Sequence, residues 1–179
     1  LLLPGAAGFR HGDDVTVNLS YWVFPALTAF LQQHSNGPWQ ALIDSGVALI
    51  DTARFGAAQL PPDWLRVGDD LQPSPRFPTR YGFDAVRIPL YMTWAGLAPA
   101  DNWRALRRFW QRDPVPAWVD LCDDSSAEFA WSRGMAGVAD LVVSGPDAGG
   151  VGAAERRVPS EAGTGETHND YYSQALLLL

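Results

Sequence analysis

"YGFDAVRIPLYMTWAG", residues 81–96, sets one acid, Asp84, and one base, Arg87, three positions apart inside a run of Phe, Val, Ile, Leu, Tyr, Met and Trp. The stretch predicts a helix from about Asp84 to Trp94, and a spacing of three puts the two charges on one face, a turn apart. Two readings of Asp84 stand side by side. As an N-cap it accepts hydrogen bonds from first-turn amides, a favoured use of Asp ahead of an apolar run. As a site residue it is a carboxylate fixed at a helix start, where the dipole and Arg87 favour its ionised form. A fixed, ionised carboxylate suits a general base that activates water, not an acid that must hold a proton at neutral pH. The two roles are compatible.

Outward from that stretch the pattern stays helical. Residues 19–33 predict a helix with Asn18 or Ser20 as cap and Pro25 in the first turn. Residues 38–55 predict another, with Trp39, Leu42, Ile43, Val47 and Ile50 at three-and-four spacing, and the short "HSNG" loop makes the two antiparallel neighbours. The Pro-rich stretch 56–80 reads as a long ordered loop with at most one short strand. A fourth helix is expected over about 101–111, capped by Asp101, with Trp103, Leu106 and Trp110 as its apolar stripe. A fifth is expected over about 127–141 and a last one from about Asn169, separated by the Gly-rich, polar segment 145–168. Six helices without a convincing pair of adjacent strands make the expected fold class all-α, a toroid of helical hairpins whose long loops build a groove at one end.

Composition removes several chemistries. The chain has 179 residues, 47% hydrophobic, enough for the core of one domain. A net charge of −7 argues against a nucleic-acid partner. The one basic cluster, Arg104, Arg107, Arg108 and Arg112, has the spacing of a solvated helix face. All thirteen cations are Arg, so neither a phosphate-loop lysine nor a lysine Schiff base is available. One cysteine, Cys122, and three scattered histidines, His11, His34 and His168, support no disulfide scaffold and no zinc site. No metal and no cofactor is therefore expected. The nearly apolar run 88–100 is too short to span a bilayer and is broken by Pro89, Gly96 and Pro99. The "GGVG" at 149–152 completes no dinucleotide fingerprint, and no nucleophile-elbow serine occurs. The chain opens on "LLLPGAAGF" and stops inside an apolar helix, so it reads as a piece of a longer protein, with any targeting segment upstream.

Eight Trp and five Tyr are a heavy aromatic load. Trp39, Trp103 and Trp110 fall on helical stripes and read as core. Tyr21, Trp22, Trp64, Tyr81, Tyr171 and Tyr172 fall at helix starts or in loops, where they either pack or line a groove for sugar rings.

Taken in order, "VNLSYWVFPAL" (17–27), "LPPDWLRV" (60–67), "RYGFDAVRIPLYMTWAG" (80–96), "PAWVDL" (116–121) and "YYSQALLLL" (171–179) resemble the bacterial glycoside hydrolase family 8 endoglucanases, notably the periplasmic cellulases of cellulose synthesis. The resemblance implies an (α/α)6 barrel that hydrolyses β-1,4-glucan with inversion, using an acid and a base about 6.5–9.5 Å apart with a water between them. It implies Asp84 as the base and Arg87 as its sugar-contacting, orienting neighbour. Asn18 and Tyr21 fall in the groove segment, and Tyr171 and Tyr172 correspond to a cleft-lining tyrosine. Phe83 stands where the family has Tyr, leaving Tyr81 as the candidate for that hydroxyl contact. The family's general acid is a Glu in a Glu-Gly-x-Gly motif. Glu128, Glu155, Glu161 and Glu166 stand in no such motif, so residues 1–179 are expected to be the C-terminal half of one catalytic domain, silent alone, with the acid upstream. A periplasmic or secreted location, a functional link to cellulose synthase and a monomeric full-length protein are further implications. The rival expectation is a non-catalytic glucan-binding or structural α-toroid.

Overall fold

The structure is a computed structural model that describes residues 1–97, 103–144, 174–176 and 178. Tyr171, Tyr172, the Asp101 cap, the start of the last helix and the whole Gly-rich stretch with its "GGVG" segment lie outside the described residues.

Five helices carry the described fold: α1 (Phe24–Gln33), α2 (Trp39–Thr52), α3 (Ile88–Trp94), α4 (Arg104–Trp110) and α5 (Arg133–Ser144). The helix expected over 19–33 divides in two. A 3₁₀ turn, Leu19–Tyr21, is followed by a break at Trp22 and Val23, and α1 then begins with Pro25 in its first turn. Pro25 has no N–H to give to a preceding turn, so helix cannot run through it unbroken, whereas a first turn needs no such donor. The quoted stretch behaves alike, with a 3₁₀ turn over Ala85–Arg87 leading into α3. Ile88, Pro89, Leu90 and Met92 of α3 are all buried, the pattern of a helix enclosed by neighbours. It packs against α1 on one side and α5 on the other, and α2 lies against α1.

Beside the expected helices the structure also holds short strands. A four-stranded antiparallel sheet, in the order β1 (Arg10–His11), β2 (Asp14–Val17), β3 (Leu65–Val67) and β4 (Leu71–Pro73), joins the N-terminal residues to the stretch read as loop. Its register sets Val15 opposite Val67 and Val17 opposite Leu65. The β1–β2 turn uses Gly12 at φ +63°, a left-handed conformation that a side chain would strain. A second pair, β5 (Arg80–Tyr81) with β6 (Val119–Asp120), sets Tyr81 opposite Val119. The fifth helix also starts later than expected, at Arg133.

One close approach fixes how α1 and α2 enter the core. Trp22 is fully buried, and its indole N–H donates to the Leu42 carbonyl at 2.8 Å. The ring lies across α2 at Gly46, where a Cβ would stand 2.2 Å from Trp22 Cδ1 and 2.5 Å from Nε1. Trp22 is thus a core residue and not a groove residue. Replacing Gly by Ala inside a helix normally gains about 1 kcal/mol. Here Gly46→Ala should instead lose about 1–3 kcal/mol, because the enclosed indole has nowhere to retreat. Urea unfolding of the variant reads the sign, and a gain in stability would contradict this packing.

Candidate active site

Asp84 stands at the head of the 3₁₀ turn, with φ −89° and ψ −51°, and its side chain makes no capping hydrogen bond. The capping reading of its carboxylate is not realised. The carboxylate pairs instead with the Arg87 guanidinium, and the two side chains keep 29% and 22% exposure. The same Arg87 nitrogen donates to Ser20 Oγ at 2.9 Å. Ser20 in turn donates to Asn18 Oδ1 at 2.7 Å, and its backbone N–H reaches the same oxygen at 3.0 Å. A continuous polar chain therefore runs from Asp84 through Arg87 and Ser20 to Asn18, joining segments 67 residues apart in sequence. Arg87 Nε and Asn18 Nδ2 are buried and have no hydrogen-bond partner among the described residues.

The amides at the head of this turn are taken by a residue that the sequence left in a loop. Asp63 Oδ1 accepts from the backbone N–H groups of Gly82 at 3.0 Å, Asp84 at 3.1 Å and Ala85 at 2.8 Å. Its Oδ2 faces Arg80 Nε at 3.3 Å, and its own N–H donates to the Arg80 carbonyl at 2.7 Å. Asp63 is 3% exposed and follows two buried prolines, Pro61 and Pro62. The signal that could have found it is a single acid inside the apolar run Leu-Pro-Pro-Asp-Trp-Leu. Such an acid must be paired or hydrogen-bonded to be buried at all.

The structure gathers some of the expected site residues and removes others. Asp84, Arg87, Asn18 and Tyr21 fall together; Tyr21, beside Ser20, is 43% exposed and meets Trp64 edge-on at 6.1 Å. Trp64 is stacked between Phe77, at 3.9 Å, and Phe9, at 6.0 Å, which holds its ring as a fixed wall. Asn18 is fully buried, so it acts within the network and not as an open surface. Tyr81 is a correction. It is 1% exposed, its hydroxyl accepts from Trp110 Nε1 at 3.0 Å, and its ring meets Phe109 edge-on, so it is core. The hydroxyl group expected of it is engaged inside the protein. Phe83 lies under the Arg80 guanidinium at 5.0 Å. Trp103 and Trp110 are core, as their stripe predicts. A cavity of about 370 Å³ lined by His11, Asp14, Thr16, Arg66, Gln72 and Ser74 lies on the sheet and shares no residue with the Asp84 network.

Chemically, the arrangement offers one partly exposed carboxylate whose backbone is gripped by Asp63 and whose oxygen is oriented by Arg87. That defines a class of protein: a helical-hairpin fold presenting a fixed carboxylate–guanidinium pair beside an open tyrosine. Comparison with known proteins makes it particular. The Glycosyl hydrolases family 8 profile matches residues 1–179, and the chain belongs to that family. It is 34% identical to a probable endoglucanase of Novacetimonas hansenii over all of its length and 51% of the relative's. Among solved structures, the endoglucanase of Komagataeibacter sucrofermentans superposes with a TM-score of 0.82 at 33% identity, covering 99% of this chain and 54% of that one. The endo-β-1,4-glucanase CMCax of Acetobacter xylinum gives the same TM-score, identity and coverage. The chain spans about half the length of the relatives it matches. Its fold is therefore that of the family's (α/α)6 barrel, of which it holds about half, with the small sheets added to the helices. Among the described residues no helix is long and apolar enough to cross a membrane.

Burial pushes the Asp63 carboxyl up to about 6; the Ala85 amide opposes the rise, the Asp84 charge adds to it, and Arg80 opposes it. Because this lies above the ordinary 3.8, the folded state favours the protonated acid. The stability contributed by the group is complete below the ordinary value and is lost as pH rises through about 6. Ionisation of Asp63 thus costs about 3 kcal/mol of stability at neutral pH. Asp63→Asn, which does not titrate, should gain on the wild type by up to that amount between about pH 4 and about pH 7. Urea unfolding at the two pH values checks it, and parallel pH dependence in the two proteins would refute it.

Proposed function

We propose that this chain is the C-terminal half of the catalytic domain of an inverting endo-β-1,4-glucanase, with Asp84 as the general base. The single observation that carries the reading is the state of Asp84: partly open to solvent, paired with Arg87, and relieved of capping by Asp63. Glycoside inversion needs a carboxylate that takes a proton from water as that water attacks the anomeric carbon from the face opposite the leaving group. Family membership supports the reaction class, and the endoglucanases among the relatives support β-1,4-glucan as the substrate. Arg87 keeps Asp84 oriented and offers its remaining donors to a sugar hydroxyl. Tyr21 offers an open aromatic face to a sugar ring, and Asn18 acts indirectly through Ser20. Tyr171 and Tyr172 are proposed to line the same cleft.

The proton donor is proposed to come from the part of the family domain that this chain does not span. Cleavage needs it, because a sugar alkoxide leaves slowly unless protonated, and general acid–base assistance typically contributes about 10²–10⁴-fold. A periplasmic or secreted location, a functional link to cellulose synthase and a monomeric full-length protein complete the proposal. They rest on the family resemblance alone.

In the full-length protein, Asp84→Asn should lower turnover of carboxymethylcellulose by about 10²–10⁴-fold, with the melting temperature nearly unchanged. Polarimetry of fresh wild-type product should register the α-anomer. Near-wild-type turnover in Asp84→Asn would sink the base assignment, whereas a full-length wild type that binds the glucan without turning it over would make the non-catalytic glucan-binding toroid the better account. Initial β-anomer product would sink inversion.

A further inference from the structure

Given Asp84 as the base, we propose that Asp63 is a positioning residue of the reaction, setting through the backbone of residues 82–85 the angle at which the Asp84 carboxylate meets water. The geometry is specific. Three amides, those of Gly82, Asp84 and Ala85, converge on one oxygen of a carboxylate that lies 19 to 22 positions away in sequence. They bracket the base on both sides, and among the described bonds they have no other acceptor. The Asp63 N–H and the Arg80 carbonyl close the clamp from the opposite direction, and Arg80 Nε supports the second oxygen.

The arrangement divides the labour of two acids. An Asp at the head of a helical turn ordinarily spends its carboxylate on local amides. Here Asp63 takes the amides around Asp84, and the Asp84 carboxylate is left to Arg87 and to solvent. With Asp63 removed, the turn loses its described acceptor, and Asp84's own carboxylate becomes the local substitute, drawn away from Arg87.

A neutral Asn or Ser would serve a purely structural cap at less desolvation cost than a buried charge. The charge strengthens each amide bond about twofold over a neutral acceptor. Tightness matters because reacting groups misplaced by about 1 Å can lose about 10²-fold in rate. Gly82 fits the same picture: a Cβ there would stand 3.1 Å from Trp118 Cβ and 3.3 Å from Asp63 Oδ2, so the chain is threaded closely past the carboxylate.

The test is made in the full-length protein with carboxymethylcellulose and sodium azide as probes. Asp63→Asn keeps an oxygen for the amides but turns an NH₂ group toward Arg80. Its kcat should fall about 10- to 100-fold, with KM and the Kd of a cello-oligosaccharide within about twofold, because binding is left alone. Asp63→Ala should fall further; if it does not fold, by circular dichroism, Asp63→Asn carries the test.

Azide separates positioning from catalysis. In Asp84→Ala, azide bonds to the anomeric carbon as the C–O bond to the leaving sugar breaks and the general acid protonates the departing oxygen. No base is needed, so turnover returns as the inverted glycosyl azide. Asp63→Asn should not be rescued, since its Asp84 carboxylate still occupies the place and repels the anion. Wild-type kcat in folded Asp63 variants overturns the proposal and leaves Asp84 as base. A raised KM with unchanged kcat also overturns it, making Asp63 a residue of cleft shape. Retained turnover in Asp84→Ala, without azide dependence, removes the base assignment and this inference with it.

Discussion

The carboxylate of Asp63 ties two stretches of chain together at the point where the central helix begins. Gly82, Asp84 and Ala85 have no helical partners for their amides, because a turn's first N–H groups point away from its own carbonyls. Supplying the acceptor from residue 63 brings the Pro61–Trp64 stretch against the head of α3. The enclosed helix then runs between α1 and α5 with its start already fixed. A buried acid is an expensive way to build a joint. Burial works against its charge, and Arg80 and the amides offset that only in part. Stability alone does not account for the choice, and the proximity of Asp84 gives the joint a second consequence.

That consequence is rigidity delivered from two directions. The backbone at Asp84 is gripped by Asp63, while its side chain is held by Arg87, which is itself braced on Ser20 and Asn18. Neither brace comes from the helix that follows. The site is thus assembled from the 18–21 turn, the 61–64 segment and the 82–87 turn, each stiffened by proline, by burial or by hydrogen bonds before they meet. Tyr21 extends from the same turn as Ser20, and the Phe9–Trp64–Phe77 stack stands beside it, so an open aromatic face lies next to the polar network. Partly apolar faces beside a fixed carboxylate are what a sugar ring, apolar on its C–H faces and polar at its rim, can use.

Much of this was legible one segment at a time. The three-and-four spacing of Trp39, Ile43, Val47 and Ile50 produces α2, and the Trp103–Leu106–Trp110 stripe produces α4 as a buried face. Asp84 and Arg87 could be paired from their spacing alone, since a turn of helix brings them together wherever it sits. The strands were not legible in the same way. Val15 and Val17 meet Val67 and Leu65 across some fifty residues of chain, and strands of two to four residues carry too little alternation to announce themselves. The hairpin turn at Gly12-Asp13 is a local signal of the sheet.

Local sequence therefore determined the helices, the Asp84–Arg87 pair and, through a linked set of segments, the family. Tertiary structure decided which residues face what. Tyr81 and Tyr21 look alike in sequence, each next to a predicted helix start, yet one hydroxyl is bonded to Trp110 in the core and the other ring is open. Trp22 entered the core because Gly46, twenty-four positions on, leaves room for it. Asp63 became the anchor of the Asp84 turn because three amides from another segment converge on it. Periodicity and spacing report interactions along one turn of chain, whereas burial and hydrogen-bond convergence depend on segments whose meeting the sequence order does not state.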